Sequence, residues 1–394
     1  MTTALANGVI SEAGREYLRL HLTTDVGPIR LRNLVQHFGT VDAVRGASMA
    51  ELTRVAQIGP KTAEAIVRAR GDDSVDQEIA RTAECGARIL CAEDDEYPKA
   101  LLHIPDPPVC LYVRGRIDPG DALAVAIVGT RRCSHYGREQ AVRFGEVLAG
   151  AGFTVVSGMA RGVDGFAHRG ALQGKGRTIA VLGNGLGTIY PPEHEALAAE
   201  IAQSGAVVSE LPVDVGPEAG HFPRRNRIIA GLSLGVIVIE AGQRSGALIT
   251  ARVANEYNRE VFAVPGRVDR PDLSAGVNGL IRDGGAKLIT CLDDVLDELG
   301  EVGRALHPGP TSGSAPAASV AAESGLQQTG PASDLSPCQA AVLRAVVDGA
   351  EEIEQIGETC NLEAPQVLSA LTRLELRGLL RRMPGDRFVR RSPT

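Results

Sequence analysis

From Leu123 to about Leu299 the chain repeats one pattern. Short apolar runs rich in Val and Ile (LAVAIVG, FTVVSG, TIAVLG, AVVSE, GVIVIE, VFAVPG and AKLIT) alternate with longer stretches of helical periodicity. A run apolar at every position has no solvent-facing side, so each of these strands must be covered on both faces. Strands separated by helices then imply a parallel sheet, doubly wound, with helices on both faces. In such sheets a ligand sits beyond the carboxyl ends of the strands, at the point where the strand order reverses. The unusual residues of this sequence fall at those ends.

The flanks differ. Residues from about 10 to 75 read as short helices (EAGREYLRLHL, PIRLRNLVQHFG, SMAELTRVA, PKTAEAIVRAR) with apolar residues at three- and four-residue spacing. Ile58-Gly59-Pro60-Lys61 before TAEAIVRAR has the form of a helix-hairpin-helix, whose Gly turn exposes amides to a phosphate. A small helical packing module turned by Gly-Pro fits the same residues. Residues 306–334, rich in Gly, Pro, Ser and Ala, read as a flexible linker. Beyond it three helices (SPCQAAVLRAVV, EEIEQIGETC, EAPQVLSALTRLELRG) and a basic hairpin turning at Pro384-Gly385-Asp386 make a winged helix. The expected domains are thus 1–80 helical, 81–305 α/β, 306–334 linker and 335–394 winged helix.

Composition narrows the class. With 44% hydrophobic and 23% charged residues in 394, the chain is an ordinary globular one. Its seven cysteines form no CxxC pair, which excludes a disulfide frame or zinc site and suits a reducing compartment. No stretch approaches the ~18 apolar residues of a membrane span, so a soluble, cytoplasmic protein without a membrane partner is expected. The net charge is −7, yet residues 373–391 hold seven Arg against Glu375 and Asp386. Placement of the arginines, not the total, decides whether such a chain meets nucleic acid.

Four clusters carry candidate chemistry. The first strand ends in Gly129-Thr130-Arg131-Arg132, followed by Ser134 and a helix, a layout that supplies donors and two guanidinium groups to an anion. Equally, Thr130 and Ser134 would cap a helix while the arginines are solvated. The second ends in Ser157-Gly158-Met159-Ala160-Arg161-Gly162, with Asp164 as an N-cap and His168 after it. A Ser157–His168–Asp164 triad is disfavoured, because the nucleophile elbow GxSxG is missing. Third, Phe222 precedes Arg224, Arg225, Asn226 and Arg227 and then an apolar helix; the ring suits an unpaired base and the arginines suit phosphates. Fourth, Arg244-Ser245-Gly246 follows the strand GVIVIE, with Glu240 oriented toward neighbouring arginines. So many arginines along one sheet edge suit a groove tracking several phosphates. No GxxxxGK[ST] loop occurs, and Gly183-Asn184-Gly185-Leu186-Gly187 lacks the GxGxxG spacing, so neither a P-loop nor a nicotinamide site is expected.

The runs AIVGTRRCSHYGREQA, VVSGMARGVDGFAHRGAL, TIAVLGNGLGTIYPPEH, FPRRNRIIAGLSLGVIVIEAGQRSGALITARVA, FAVPGRV and GVNGLIRDGGAKLI resemble, in order and spacing, the DNA-processing protein A (DprA/Smf) family from about 95 to 295. The resemblance implies a Rossmann-like sheet and a protein that binds incoming single-stranded DNA, protects it and loads RecA recombinase onto it. It also implies a homodimer, no catalysis and no cofactor. By motif position it assigns DNA contact to Gly129, Thr130, Arg131, Arg132 and Ser134, to Ser157, Gly158, Arg161 and Gly162, and to Phe222, Arg224, Asn226 and Arg227. Arg244, Ser245 and Gly246 complete that set.

Two other classes fit parts of the sequence. A nucleotide-hydrolysing enzyme of the lysine-decarboxylase-like group shares the architecture, but its PGGxGTxxE loop is replaced here by VPGRVDRPD. A winged-helix regulator of duplex DNA would need a base-reading helix; the third helix presents Glu363 and Glu375 beside Arg373 and Arg377. The winged helix suits a backbone-touching or a protein-interaction role equally well.

Overall fold

The structure is a computed structural model that describes residues 10–300, 337–347, 350, 353–360, 362, 367, 370–371, 374, 380–383 and 387–390. The expected linker, most of the expected third winged-helix segment and the turn at 384–386 lie outside the described residues. The chain divides into two compact units, Met1–Pro310 and Thr311–Thr394.

The first unit opens with six helices: α1 (Glu12–Leu22), α2 (Pro28–Phe38), α3 (Val41–Gly46), α4 (Met49–Leu52), α5 (Pro60–Ala69) and α6 (Ser74–Glu84). Four match the apolar periodicities; α3 and α6 were not anticipated. A capping box, Ser48 with Glu51, starts α4, and Pro at the first position starts α2 and α5. These helices share one apolar core with part of the sheet, from Leu18, Leu34 and Ile66 through Tyr112 to Val207.

The sheet has nine strands in the order β1-β2-β6-β5-β4-β3-β7-β8-β9. All seven apolar runs are strands: β3 (Ala124–Gly129), β4 (Thr154–Ser157), β5 (Thr178–Val181), β6 (Ala206–Ser209), β7 (Gly235–Ile239), β8 (Glu260–Ala263) and β9 (Lys287–Leu288). They pair in parallel throughout. Two further strands, β1 (Ala87–Cys91) and β2 (Cys110–Gly115), extend the β6 edge in antiparallel fashion. Arginines interrupt ARILC and CLYVRG, so their apolar signal is weak.

Alternation within β3 shows why both faces are buried. Val125 and Ile127 join Phe144, Leu148 and Ala167 on one side. Ala124, Ala126 and Val128 join Ile229, Ala247 and Ala251 on the other. The covering helices are α7 (His135–Gly150), α8 (Val163–Gln173), α9 (Glu195–Ser204), α10 (His221–Leu232), α11 (Gly246–Glu256), α12 (Pro271–Arg282) and α13 (Leu292–Glu298). From β3 the chain winds through β4, β5 and β6 in one direction, then returns to β7 on the other side of β3. The order therefore reverses between β3 and β7, and the crevice expected at a switch point lies beyond their carboxyl ends.

The second unit has α14 (Pro337–Val347), α15 (Ile353–Cys360) and the antiparallel pair β10 (Leu380–Met383) and β11 (Arg387–Arg390). Val342, Ile356, Val367, Leu371, Leu374, Leu380 and Phe388 form its core. This is a winged helix with its basic wing.

Candidate functional site

A cleft of about 1240 Å³ opens at the switch point. It is lined by Gly129–Arg132 after β3, Ala160 and Asp164 after β4, Tyr190 after β5, one face of α10, and Gly242–Ala247 after β7. Ile249 and Thr250 of α11 and the start of α12 complete it.

Nine of the expected residues meet there: Gly129, Thr130, Arg131, Arg132, Phe222, Asn226, Arg244, Ser245 and Gly246. Arg131, Arg132 and Arg244 are exposed. Among the described residues no carboxylate is within ion-pair distance of any of the three. Ser245 caps α11, its hydroxyl accepting from the Ala247 amide at 3.3 Å. The Arg131 guanidinium lies over the Phe222 ring, 5.3 Å from its centroid, and Tyr190 stands 5.8 Å from Phe222, tilted by 50°. Unpaired cations and two adjoining aromatic rings thus share one cavity.

The remaining expected residues are placed elsewhere. The arginine run does not precede a helix; it lies inside α10, so helical rotation deals its members to different faces. Phe222, Arg225, Asn226 and Ile229 face the cleft. Arg224 lines a separate small hollow with Leu182 and Glu210. Arg227 is buried, its guanidinium paired with Asp106 at 2.9 Å and Glu210 at 2.5 Å, which leaves it tying α10 to the sheet edge. Arg161 pairs with Glu193 and lies over Tyr190 at the margin, not in the lining.

Ser157 is wholly buried and donates to the Ile127 carbonyl at 2.6 Å. Gly158 and Gly162 serve close approach. A Cβ on Gly158 would strike the Arg225 guanidinium, and one on Gly162, whose φ is +76°, would strike the Thr130 carbonyl. Ser134 caps α7 and gives its amide and hydroxyl to Glu240. Glu240 is therefore not turned to the arginines: it is 4% exposed and fastens the β3 loop to β7. A clamp between neighbouring loops is invisible in a linear reading, because its partners lie 106 residues apart.

Ser157, His168 and Asp164 form no relay. His168 is buried against Thr178 (2.6 Å), and burial first, then His194, pushes its pKa down to about 3. Asn184 is fully buried, its amide spent on the Gly185 and Thr188 carbonyls, so that glycine-rich turn is a packing element.

Sequence reasoning underweighted Arg225 and Asp164. Arg225, 6% exposed, donates to the carbonyls of Gly158 (2.6 Å) and Val181. Burial pulls its pKa down to about 10 against the opposing pull of Asp164. Asp164, also 6% exposed, accepts from the Ala160 amide. Burial raises its carboxyl to about 6, although Arg225 and backbone amides pull the other way. Tyr190 and the segment from Pro271 reach the cleft only through the fold, and nothing local in the sequence marks them.

Over residues 88–300 the chain matches the family described as DNA recombination-mediator protein A. Residues 327–386 match the DprA winged helix domain, and 24–79 the helix-hairpin-helix motif. The chain is 37% identical to Protein Smf of Synechocystis sp. over 383 residues, covering 93% of this chain and 96% of that one. It is 41% identical to Protein Smf of Escherichia coli over 318 residues, covering 80% and 81%. In structure it is similar to DNA processing protein A from Streptococcus pneumoniae, with a TM-score of 0.64 and 34% identity, covering 72% of this chain and 97% of that one.

Proposed function

Because the chain belongs to the DNA recombination-mediator protein A (DprA/Smf) family, we propose that the switch-point cleft binds single-stranded DNA. The observation that carries this reading is the convergence of Arg131, Arg132 and Arg244, none with a carboxylate within ion-pair distance among the described residues, on a cavity that also holds Phe222 and Tyr190. Phosphates are neutralised by the guanidinium groups and by the amides at the start of α11; bases, which only a single strand exposes, meet the aromatic and apolar wall. Gly129, Thr130, Asn226, Ser245 and Gly246 complete the contact surface. Ser134, Ser157, Gly158, Gly162 and Arg227 act behind it, and Arg161 and Arg224 beside it. Membership in the family supports the wider role: protection of incoming DNA and loading of RecA recombinase in transformation and recombination, by a cytoplasmic homodimer without chemical turnover.

The test is fluorescence anisotropy of labelled oligo-dT with equal-length duplex as competitor, across a salt series. Binding that duplex fails to displace is expected, with log K falling on log salt by roughly 0.7 per phosphate held, about 2 for the three arginines. Equal affinity for duplex, or a flat salt response, sinks the reading.

Asp164 adds a pH dependence. Its carboxyl, raised to about 6, is ionised at pH 7.5 and mostly neutral at pH 5.5, where the cleft has lost most of one negative charge. Oligo-dT, whose base does not titrate there, is expected to bind about threefold more tightly at pH 5.5. Asp164→Asn is expected to bind at pH 7.5 as wild type does at pH 5.5, with the pH response largely gone. A wild-type affinity that falls on acidification would contradict this.

A further inference from the structure

Beside the cleft, α7 and α8 carry a second group of arginines that the site does not use. Both helices start at the cleft: α7 follows the Arg131–Ser134 loop, and Asp164 in the first turn of α8 lines the cavity. They are pressed together by Gly145 and Gly170, where a Cβ would collide with the carbonyls of Ala167 and Val142. That close packing brings Arg138 of α7 onto Phe166 of α8, its guanidinium 5.1 Å from the ring centroid. Arg169 lies over the same ring at 5.6 Å. Arg138 is exposed, and Arg169 and Phe166 are half-buried. Among the described residues neither arginine has a carboxylate within ion-pair distance; the polar contact of Arg169 is the Gly165 carbonyl at 3.5 Å.

We propose that Arg138, Arg169 and Phe166 form a second nucleic-acid contact, which holds the single-stranded segment that leaves the cleft across the start of α7 and α8. Charge and continuity argue for this occupant. Arg132, in the cleft lining, lies six positions before Arg138, so one polyanion running from the cavity meets unpaired guanidinium groups along its path. Both guanidinium groups lie within cation–π distance of the one ring, and a guanidinium held there can still pair with phosphate oxygens. This inference rests on the cleft reading, and the experiment separates the two.

Affinity and salt slope are measured for short (about 6 nucleotides) and long (about 20 nucleotides) oligo-dT, lengths chosen from the usual span of single-strand sites. Arg138→Ala/Arg169→Ala is expected to lose about tenfold on the long strand, with a slope shallower by about 1.4, and less than about twofold on the short one. Arg138→Lys/Arg169→Lys keeps the charge and is expected to restore the slope, which packing on Phe166 alone would not. Unchanged long-strand binding in the alanine variant, or equal losses at both lengths, overturns the second contact. Failure of the cleft reading shows separately, as short-strand binding that survives Arg131→Ala/Arg244→Ala.

Discussion

Oligo-dT binding is expected to weaken about 100-fold or more when Arg131 and Arg244 are replaced together by alanine. Each guanidinium is exposed and lines the cleft, and among the described residues neither has a carboxylate within ion-pair distance. A charge-assisted contact to phosphate contributes roughly 1.5–3 kcal/mol, so the loss of two exceeds about 3 kcal/mol. The salt slope should fall by about 1.4, because two fewer phosphates are neutralised. Thermal unfolding serves as the control: neither side chain is buried, so the midpoint should move little. The two arginines come from opposite sides of the switch point, one after β3 and one after β7. Single variants losing about tenfold each, with additive effects, would fit two independent phosphate contacts. Binding that survives the double variant would place the DNA elsewhere and end the cleft reading.

The largest effect on stability is expected at Arg225. Arg225→Ala removes a buried cation from beside the buried Asp164 and leaves the Gly158 and Val181 carbonyls without their donor. Removing one member of a buried charged set costs roughly 3–5 kcal/mol, since the other is left uncompensated. The cost should depend on pH, and its sign follows from Asp164. The folded-state pKa of about 6 stands above the reference value of 3.8. The carboxyl therefore favours the fold in its neutral form, a contribution complete below about 3.8 and lost as pH rises through 6. Without Arg225 the ionised form is still less welcome, so the destabilisation should be larger at pH 7.5 than at pH 5. Urea unfolding of both proteins at the two pH values checks this. A cost under about 1 kcal/mol, or one larger at pH 5, would show that the pair does not support the cleft floor.

Both expectations trace to features of different legibility. The doubly wound sheet was readable because its two central strands, AVAIVG and GVIVI, are apolar throughout, and a strand of that kind must be covered on both faces. That reading also placed the ligand edge at the carboxyl ends of the strands, whereas the switch point came with the observed strand order. That Arg131, Arg132 and Arg244 lie at this edge was readable for the same reason: each belongs to the loop that follows a central strand.

The strands β1 and β2 and the helices α3 and α6 were not readable. Arginines interrupt the apolar runs of both strands, α3 spans only six residues, and α6 mixes charged with apolar positions, so none carries a plain signal. The RRNR run shows the limit most plainly. Its composition announces an anion site, but whether an arginine faces a ligand or a carboxylate depends on a 100° rotation per residue about α10. It depends too on which distant segments cover each face: Gly158 and Val181 meet Arg225, whereas Asp106 and Glu210 meet Arg227. The Glu240 clamp on Ser134 is of the same kind.

The sequence by itself determined that the seven apolar runs are strands of a parallel sheet and that its ligand edge is the carboxyl ends of those strands, because periodicity is a local property of the chain. Tertiary structure alone decided which arginines stay unpaired in that crevice. Pairing of charges is a matter of through-space distance between segments remote in sequence, and no spacing along the chain records it.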